Sequence, residues 1–283
     1  MTTELFYAGI LQGLILTIVT YGIMIPFRLL NFQDLSSEGS YPLGASLSSF
    51  ALLCGISPLV SIFFGSIISG FVGILVALIS LRLKINSLLA GIIVSSMIYT
   101  INLRILGQPN VSLFNLNLLF SHQNIIYNII CLACCVLLLI LPVILFLKTE
   151  HGLQFRASGL NTQLAKRYSI SITKYTLLGL FYSSFLNGFA GSIIVQIQNY
   201  TDIYMGSGIA IQGLAALMVG ESIIGTKTLN HQLLAPLVGA LIYQQLQGFS
   251  MCFGLAPSDL KFFTAIFVLI LIGGRTRMIL FPR

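Results

Sequence analysis

Long apolar runs separated by short polar segments extend along almost the whole chain. About 20 apolar residues cross the ~30 Å hydrocarbon core of a bilayer, and most of the runs come close to that length. The candidate spans are residues 5–27, 41–55, 58–81, 86–103, 124–147, 175–198, 207–226, 232–252 and 260–281, of which 41–55 is short. The pattern predicts an all-α polytopic membrane protein with 8–9 transmembrane helices, in a single transmembrane domain over residues 1–283.

The composition supports this class and excludes others. Of the 283 residues, 57% are hydrophobic and only 7% are charged, far from the composition of soluble globular domains. A net charge of +7 would suggest nucleic-acid binding in a soluble protein, but these bases lie at the ends of apolar runs, where they orient helices. Nucleic-acid binding is therefore not expected. The five cysteines show no spacing typical of a metal site or a disulfide framework.

The basic residues also predict the orientation of the helices, because cytoplasmic loops carry an excess of Lys and Arg. We place four basic sites in the cytoplasm: Arg82, residues 148–174, Lys227 and the C-terminal arginines. The spans predicted between these sites return the chain to the cytoplasm each time, as this placement requires. If 41–55 crosses the membrane, there are nine crossings with Arg28 inside and the N-terminus outside, which is the arrangement we favour. If 41–55 dips in and returns, there are eight crossings and the N-terminus is inside.

The longest polar segment, residues 148–174, is basic. Its bases are Lys148, Arg156, Lys166, Arg167 and Lys174. Asn161 or Thr162 is a suitable N-cap for a helix of about two turns that ends near residues 169–171, between flexible ends. A short basic helix at the cytoplasmic face can dock on a protein, or it can lie on anionic lipid headgroups. The residues alone leave both interpretations open.

A second polar segment follows the first apolar run. Residues 29–48 combine acids and an amide with expected helix breakers, namely Asn31, Asp34, Glu38, Gly39, Pro42 and Gly44. Non-helical backbone at membrane depth is tolerated only where protein or a water-filled cavity satisfies its polar groups. The stretch 31–44 is therefore predicted to belong to a substrate gate or pathway. The alternative is an ordinary cytoplasmic loop, with its acids solvated near Arg28.

Single polar side chains interrupt several later runs: Asn187, Gln196, Gln198, Gln212 and Glu221. Uncharged amides suit a solute that is neutral overall, such as an amino-acid zwitterion in a mostly apolar corridor. The alternative is that the amides form hydrogen bonds between helices.

Small residues in the run 86–103 predict close helix packing, at Ala90, Gly91, Ser95 and Ser96. Two polar residues, Asn102 and Arg104, lie at the outer end of this run. They are candidates for contact with an external binding protein, although a snorkelling arginine accounts for Arg104 equally well.

No catalytic motif is visible. The chain lacks the GxxxxGK[ST] phosphate-binding loop, the HExxH zinc motif and the GxSxG nucleophile motif, and its three histidines lie far apart. No loop reaches the ~50 residues that a soluble domain needs. We therefore predict a transport subunit without enzymatic activity or a cofactor of its own, so that any ATP hydrolysis belongs to a separate subunit.

Five stretches together resemble one family of transport proteins. They are LNFQDLSSEGSYPLGA, LLAGIIVSSMIYTINLRILGQPNVSL, GLQFRASGLNTQLAKRYSI, NGFAGSIIVQIQNYTDIYMGSGIAIQGLAALMVGES and GLAPSDLKFFTAIFVLI, between residue 30 and about residue 270. The chain is similar to ABC permeases of the branched-chain amino acid and ribose type. It is more similar still to those associated with tryptophan and tyrosine uptake operons. Where members often have Asp-Gly-Ser, this chain has Glu38-Gly39-Ser40, which keeps the charge.

The resemblance implies an ABC importer permease fold in a bacterial inner membrane. It implies an ATP-binding subunit that carries ATP and Mg²⁺, a periplasmic or lipoprotein substrate-binding protein, and a second permease copy, expected as a homodimer. The solute would be small, with an amino acid, and an aromatic one in particular, as the leading candidate. The alternatives are an ion-coupled secondary transporter, which would need a carboxylate at the bilayer midplane, and a membrane scaffold.

Two groups of site residues follow from the resemblance and the polar segments. Coupling to the ATPase is assigned to Arg156, Gly159, Leu160, Asn161, Leu164, Ala165, Lys166 and Arg167. The substrate pathway or gate is assigned to Asn31, Asp34, Glu38, Gly39, Ser40 and Gln212. No metal ligand is expected.

Overall fold

The computed structural model describes residues 2–114, 116, 118–120, 125–226, 228–252, 262 and 266. Most of the predicted last span, 260–281, lies outside the described residues, as do Lys227 and the C-terminal arginines used for orientation.

Within the described residues the chain is almost entirely helical. The α-helices are α1 Thr2–Met24, α2 Ser37–Leu53, α3 Pro58–Leu83, α4 Ser87–Leu106, α5 Ile125–Lys148, α6 Glu150–Leu160, α7 Thr162–Arg167, α8 Ile172–Gln198, α9 Ile209–Ile224 and α10 Leu229–Cys252. A π-helical segment, Ile25–Leu29, continues α1, and a 3-10 helix, Ile203–Gly206, precedes α9. Two three-residue strands, β1 Asn110–Ser112 and β2 Tyr200–Asp202, pair in antiparallel register with Val111 opposite Thr201.

The predicted class, an all-α polytopic membrane protein, is confirmed, but the number of spans differs from the expected 8–9. Six helices of the described part are long and apolar enough to cross a membrane. The helix α2 has only 17 residues, which is short for a span. The helix α10 has 24 residues, but four glutamines and a histidine lower its apolar character.

The chain divides into two compact units. Unit 1 comprises Met1–Thr20, Asn124–Val136 and Ile211–Arg283, and unit 2 comprises Tyr21–Gln123 and Leu137–Ala210. In unit 1, α9 and α10 approach at glycines: a Cβ added at Gly220 would lie 1.9 Å from the carbonyl oxygen of Ala235. Small residues of this kind let helix backbones approach closely where hydrophobic burial alone does not drive association.

Unit 2 is built around a tight seam of α2, α3 and α8. A Cβ added at Gly44 of α2 would lie 2.1 Å from the backbone oxygen of Gly188 in α8, and one added at Gly65 of α3 would lie 2.6 Å from the oxygen of Gly44. The hydroxyl of Ser192 donates to the Gly44 oxygen at 2.9 Å. Only glycine fits at these contacts, so the three helices cannot separate or slide without losing them.

The helix α2 is shorter than α3 and contacts only part of it. Near the end of α2, the hydroxyls of Ser48 and Ser61 lie 3.3 Å apart, and near its start Ser69 donates to the Ser40 oxygen at 2.8 Å. Because Ser69 lies near the middle of α3, the first turn of α2 lies at that level too.

The expectation that Gly39, Pro42 and Gly44 break the helix is wrong. All three lie inside α2, and the non-helical stretch between the π-helical segment and α2 is confined to residues 30–36. Gly44 serves close packing on Gly188, and Gly39 packs against α4. Pro42 removes the helical hydrogen bond to the oxygen of Glu38 four residues earlier.

Candidate functional site

A polar cavity of about 320 Å³ lies within unit 2. It is bounded by the first turns of α2, the middle of α4 and the 3-10 helix. Its lining is Glu38, Gly39, Pro42, Ser95, Ser96, Tyr99, Asn102, Ile203, Tyr204 and Ser207. Ligand cavities have volumes of roughly 300–1,000 Å³, so this one suits a small solute.

Small residues bring the three elements together. A Cβ at Gly39 would lie 2.9 Å from the Cα of Ser95, so α2 and α4 touch backbone to backbone. A Cβ at Gly206 would lie 2.4 Å from the Glu38 oxygen and 2.7 Å from Pro42. The 3-10 helix therefore lies directly on the carbonyl that Pro42 leaves without a helical donor. This explains why the segment after α8 returns to the start of α2.

Glu38 provides the charge of the cavity. It lies in the first turn of α2, where the helix dipole favours an acid, and its Oε1 accepts a hydrogen bond from the backbone N–H of Gly208 at 3.2 Å. Gly208 has a φ of +82°, a conformation that suits glycine. Lys and Arg are absent from the cavity lining in the described part of the chain. The cavity is thus negatively charged when Glu38 is ionised.

Two tyrosines and an asparagine complete the lining. The rings of Tyr99 and Tyr204 have centroids 6.0 Å apart, and the Tyr99 hydroxyl donates to that of Tyr204 at 3.1 Å. Asn102 is fully buried, and neither its Oδ1 nor its Nδ2 has a hydrogen-bond partner among the described residues. Burial also rules out the role considered for Asn102 in contacting an external protein, whereas Arg104 is exposed.

The six predicted pathway residues have different environments. Glu38 and Gly39 line the cavity, and Ser40 is buried beside them at the contact with α3. Asn31 is exposed with a φ of 51°, a left-handed conformation that asparagine tolerates, and it follows the π-helical segment directly. Gln212 is half-buried in α9 and belongs to unit 1.

Asp34 has a structural environment of its own. Its two carboxylate oxygens accept from the N–H and the hydroxyl of Ser36, both at 2.8 Å. A Cβ at Gly91 would lie 2.9 Å from the Asp34 carboxylate, so α4 packs directly on this turn. The packing role predicted for the small residues of this run therefore holds at Gly91 and at Ser95.

An ion-coupled transporter would need a carboxylate at the bilayer midplane, so the level of Glu38 along the helices bears on the transport class. Glu38 lies two residues before Ser40, which contacts the middle of α3. The position of the acids therefore does not argue against an ion-coupled transporter, and the distinction between the two transport classes must come from elsewhere.

The buried amide of Gln196 in α8 has a structural role that sets it apart from the cavity residues. Gln196 is fully buried, its Nε2 donates to the Pro58 oxygen at 3.0 Å and to the Ser61 hydroxyl at 3.3 Å, and its Oε1 accepts from the Leu119 N–H at 3.2 Å. The alternative of interhelical hydrogen bonding is therefore correct for Gln196. It joins α8 to α3 and to the segment before α5, and it is not part of a corridor.

The basic segment 148–174 is mostly helical. Asn161 caps α7 by accepting from the N–H groups of Gln163 at 3.1 Å and Leu164 at 3.0 Å, as the sequence predicted. The expectation of flexible flanks is wrong on the N-terminal side. There α6 occupies Glu150–Leu160, capped by Thr149, with Phe155 buried against Phe146 and Tyr175.

The corner between α6 and α7 combines anchored and exposed residues. A Cβ at Gly159 would lie 2.1 Å from the Leu29 oxygen, which joins α6 to the π-helical segment, and Ala165 is fully buried. Leu160 and Leu164 are 83% and 48% exposed, and Lys166 and Arg167 are exposed as well. Arg156 is half-buried, with an Nε that lacks a partner in the described residues.

Family models identify the chain. The model for the branched-chain amino acid transport system / permease component matches residues 5–273. The chain belongs to this permease family. A tyrosine transport system permease protein of Clostridioides difficile (strain R20291) is 35% identical over 258 residues, 91% of this chain and 87% of the relative. An uncharacterised protein of Rickettsia prowazekii (strain Madrid E) is 29% identical over 263 residues, 92% and 93% of the two chains. No solved structure matches.

As a member of the permease family the chain is an ABC transporter permease and a multi-pass membrane protein. The resemblance described from the sequence is thereby confirmed. Sequence reasoning missed Tyr99, Tyr204 and Ser207 as lining residues of the cavity. The stretch NYTDIYMGSG has the polar and glycine residues of an ordinary loop, and nothing in it indicates a return toward α2.

Proposed function

We propose that the chain is the membrane-spanning subunit of an ATP-driven importer for a small solute, an amino acid in the first place. Family membership supports the ABC class, and the relative named for tyrosine transport supports an amino acid, with aromatic ones as the first to test. A partner ATPase would hold ATP and Mg²⁺, and an external binding protein would deliver the solute. Two copies of the permease in a bacterial inner membrane would complete the transporter.

The observation that carries this proposal is the exposed corner of α6 and α7. Leu160, Leu164 and Tyr168 are 83%, 48% and 73% exposed, beside the exposed bases Lys166 and Arg167. Exposed apolar side chains at a surface mark a contact with another protein or with a membrane. A helix lying on lipid headgroups would be expected to present a continuous apolar face, which six residues of α7 are too few to form. The corner therefore suits a groove in an ATPase better than a lipid surface.

The anchoring of this corner supports a coupling role. Gly159 lies against Leu29, and a Cβ at Gly179 of α8 would lie 2.4 Å from the side chain of Leu30. The chain continues from Leu30 through residues 31–36 to Glu38 at the cavity. A displacement of α6 would thus act on the segment that precedes the cavity. An ion-coupled transporter would have no need of such a corner.

Charge reversal at the corner tests the proposal. The double variant Lys166→Glu and Arg167→Glu should lower ATPase-subunit co-purification and ATP-dependent uptake roughly fivefold or more, because exposed ion pairs contribute about 0.2–1 kcal/mol each. Uptake of labelled L-tyrosine by cells that express the permease with its neighbouring transport genes gives the measurement.

The double variant Arg82→Glu and Lys84→Glu is the matched control, since it makes the same charge change at exposed bases outside the corner. Its co-purification with the ATPase should stay at the wild-type level, with equal amounts of protein in the membrane fraction. Equal co-purification and uptake in wild type and corner variant would rule out docking at α7.

A further inference from the structure

The polar cavity has the charge of a site for a cation. Glu38 is its one ionisable carboxylate in the described lining, and no basic side chain offsets it there. A carboxylate has about four acceptor positions, and the Gly208 N–H occupies one of them on Oε1. Glu38 therefore keeps acceptor capacity for a donor that carries positive charge.

The two serines of α4 point to the same kind of ligand. Ser95 and Ser96 both donate their hydroxyl protons to the Ile92 oxygen, at 2.8 Å and 3.0 Å. Their oxygens are then acceptors. A ligand that donates several N–H groups suits this wall, whereas an anion does not.

The tyrosine pair adds aromatic faces. Tyr99 and Tyr204 are 40% and 64% exposed, and their tilted rings stand 6.0 Å apart at the cavity. An ammonium group within about 6 Å of an aromatic face gains roughly 0.5–2 kcal/mol. The pair is joined by the hydroxyl contact at 3.1 Å, which holds both rings at the mouth of one site although they are far apart in the chain.

We propose that this cavity binds the primary ammonium group of the transported solute, with Glu38 as the anionic partner and Tyr99 and Tyr204 as aromatic neighbours. This assignment rests on the proposed import function and names the residues that hold the ammonium end of the solute. A solute that offers only a carboxylate is not bound.

Three probes that differ in one group each test the assignment. They are 3-fluoro-L-tyrosine, 3-fluorotyramine, which lacks the carboxylate, and 3-(3-fluoro-4-hydroxyphenyl)propionate, which lacks the ammonium group. Binding to the full chain in phosphatidylglycerol nanodiscs is followed by ¹⁹F NMR line broadening. The first two probes should bind and the third should not. Failure of both ammonium probes to bind to the wild-type chain overturns the proposal.

Two variants identify the residues. Glu38→Gln keeps an oxygen for the Gly208 N–H but loses the charge, and it should weaken both ammonium probes roughly tenfold or more. Glu150→Gln, at an exposed glutamate of α6, is the matched control and should bind like wild type. If Glu38→Gln fails to fold, substitutions at the exposed Tyr204 provide the test instead. Tyr204→Phe should keep the affinity for the ammonium probes, and Tyr204→Leu should lower it several-fold. Wild-type affinity in Glu38→Gln, or in Tyr204→Leu, overturns the assignment.

The same samples separate the possible sources of the ammonium group. Probe binding that disappears in nanodiscs containing phosphatidylethanolamine would assign the cavity to a lipid headgroup and overturn the solute assignment. Failure of the import function has a different signature, because probe binding would persist while uptake in cells became independent of the ATPase subunit.

Discussion

Two buried amides of unit 2, Gln196 and Asn102, have opposite environments. Gln196 forms hydrogen bonds through both ends of its amide, to Pro58, Ser61 and Leu119. Asn102 is equally buried, forms none within the described residues, and lies at the wall of the polar cavity. A polar side chain in a membrane helix is therefore not in itself a sign of a substrate site. The hydrogen bonds of the side chain and the space beside it show whether it has a structural role or is a candidate for binding a solute.

The glycines of the helix seam and those of the cavity also differ in their environments. In the seam of α2, α3 and α8, Gly44 lies against the backbone of Gly188 with no space left. At the cavity, Gly39 brings α2 onto α4 at one level, while Tyr99 and Tyr204 border open space above it. The seam contacts are backbone to backbone and leave no such space. The cavity offers polar groups and space for a solute without any separation of the helices.

The largest effect should come from filling the seam. In Gly44→Ala the new methyl group would lie 2.1 Å from the Gly188 oxygen, and backbone atoms cannot yield as a flexible side chain does. We expect a loss of about 3 kcal/mol or more in the free energy of unfolding, or no recovery of folded protein. Thermal unfolding of the purified full chain measures it.

Gly248→Ala is the control for this variant, because a Cβ at Gly248 meets no atom within 4 Å. It should leave the stability unchanged or raise it by up to about 1 kcal/mol, because alanine favours a helix over glycine. A Gly44→Ala protein as stable as Gly248→Ala would mean that the seam is not tightly packed.

The next effect should come from Gln196→Leu. The leucine leaves the Leu119 N–H without its partner and removes the Gln196 hydrogen bonds to Ser61 and to the Pro58 carbonyl, to which Ser61 still donates. This should cost about 1–3 kcal/mol of unfolding free energy. Gln198→Leu is the matched control, since Gln198 is half-buried and forms no hydrogen bond within the described residues. The measurement is the unfolding midpoint of each variant. Equal midpoints for Gln196→Leu and Gln198→Leu would show that the hydrogen bonds of Gln196 give it no special structural role.

The smallest effect on stability should come from Asn102→Leu, which keeps the branched shape and the number of heavy atoms of asparagine. Because the Asn102 amide is buried without partners in the described residues, its removal should leave the unfolding free energy unchanged or raise it by about 1 kcal/mol. Thermal unfolding of the purified full chain measures it. A destabilisation as large as that of Gln196→Leu would show that Asn102 is a structural amide too.

Local features of the chain were predicted more reliably than the cavity. The Asn161 cap follows from three consecutive positions, and most long helices follow from apolar runs, so both can be recognised without tertiary information. The start of α2 at Ser37 was missed because Gly39 and Pro42 were taken as helix breakers. Their actual use, contact with Ser95 and with Gly206, depends on helices that are distant in the chain.

The amino-acid sequence was sufficient for the membrane class, the permease family and the positions of most helices, because apolar length, charge distribution and extended motifs are properties of consecutive residues. It could not assign Gln196 to the structure or Glu38, Tyr99 and Asn102 to one cavity. Tyr99 and Tyr204 meet across more than a hundred residues of chain, and the seam glycines set how closely α2 approaches its neighbours. Those distances arise when helices pack in three dimensions, and they determine which polar groups find partners and which are left at an open cavity.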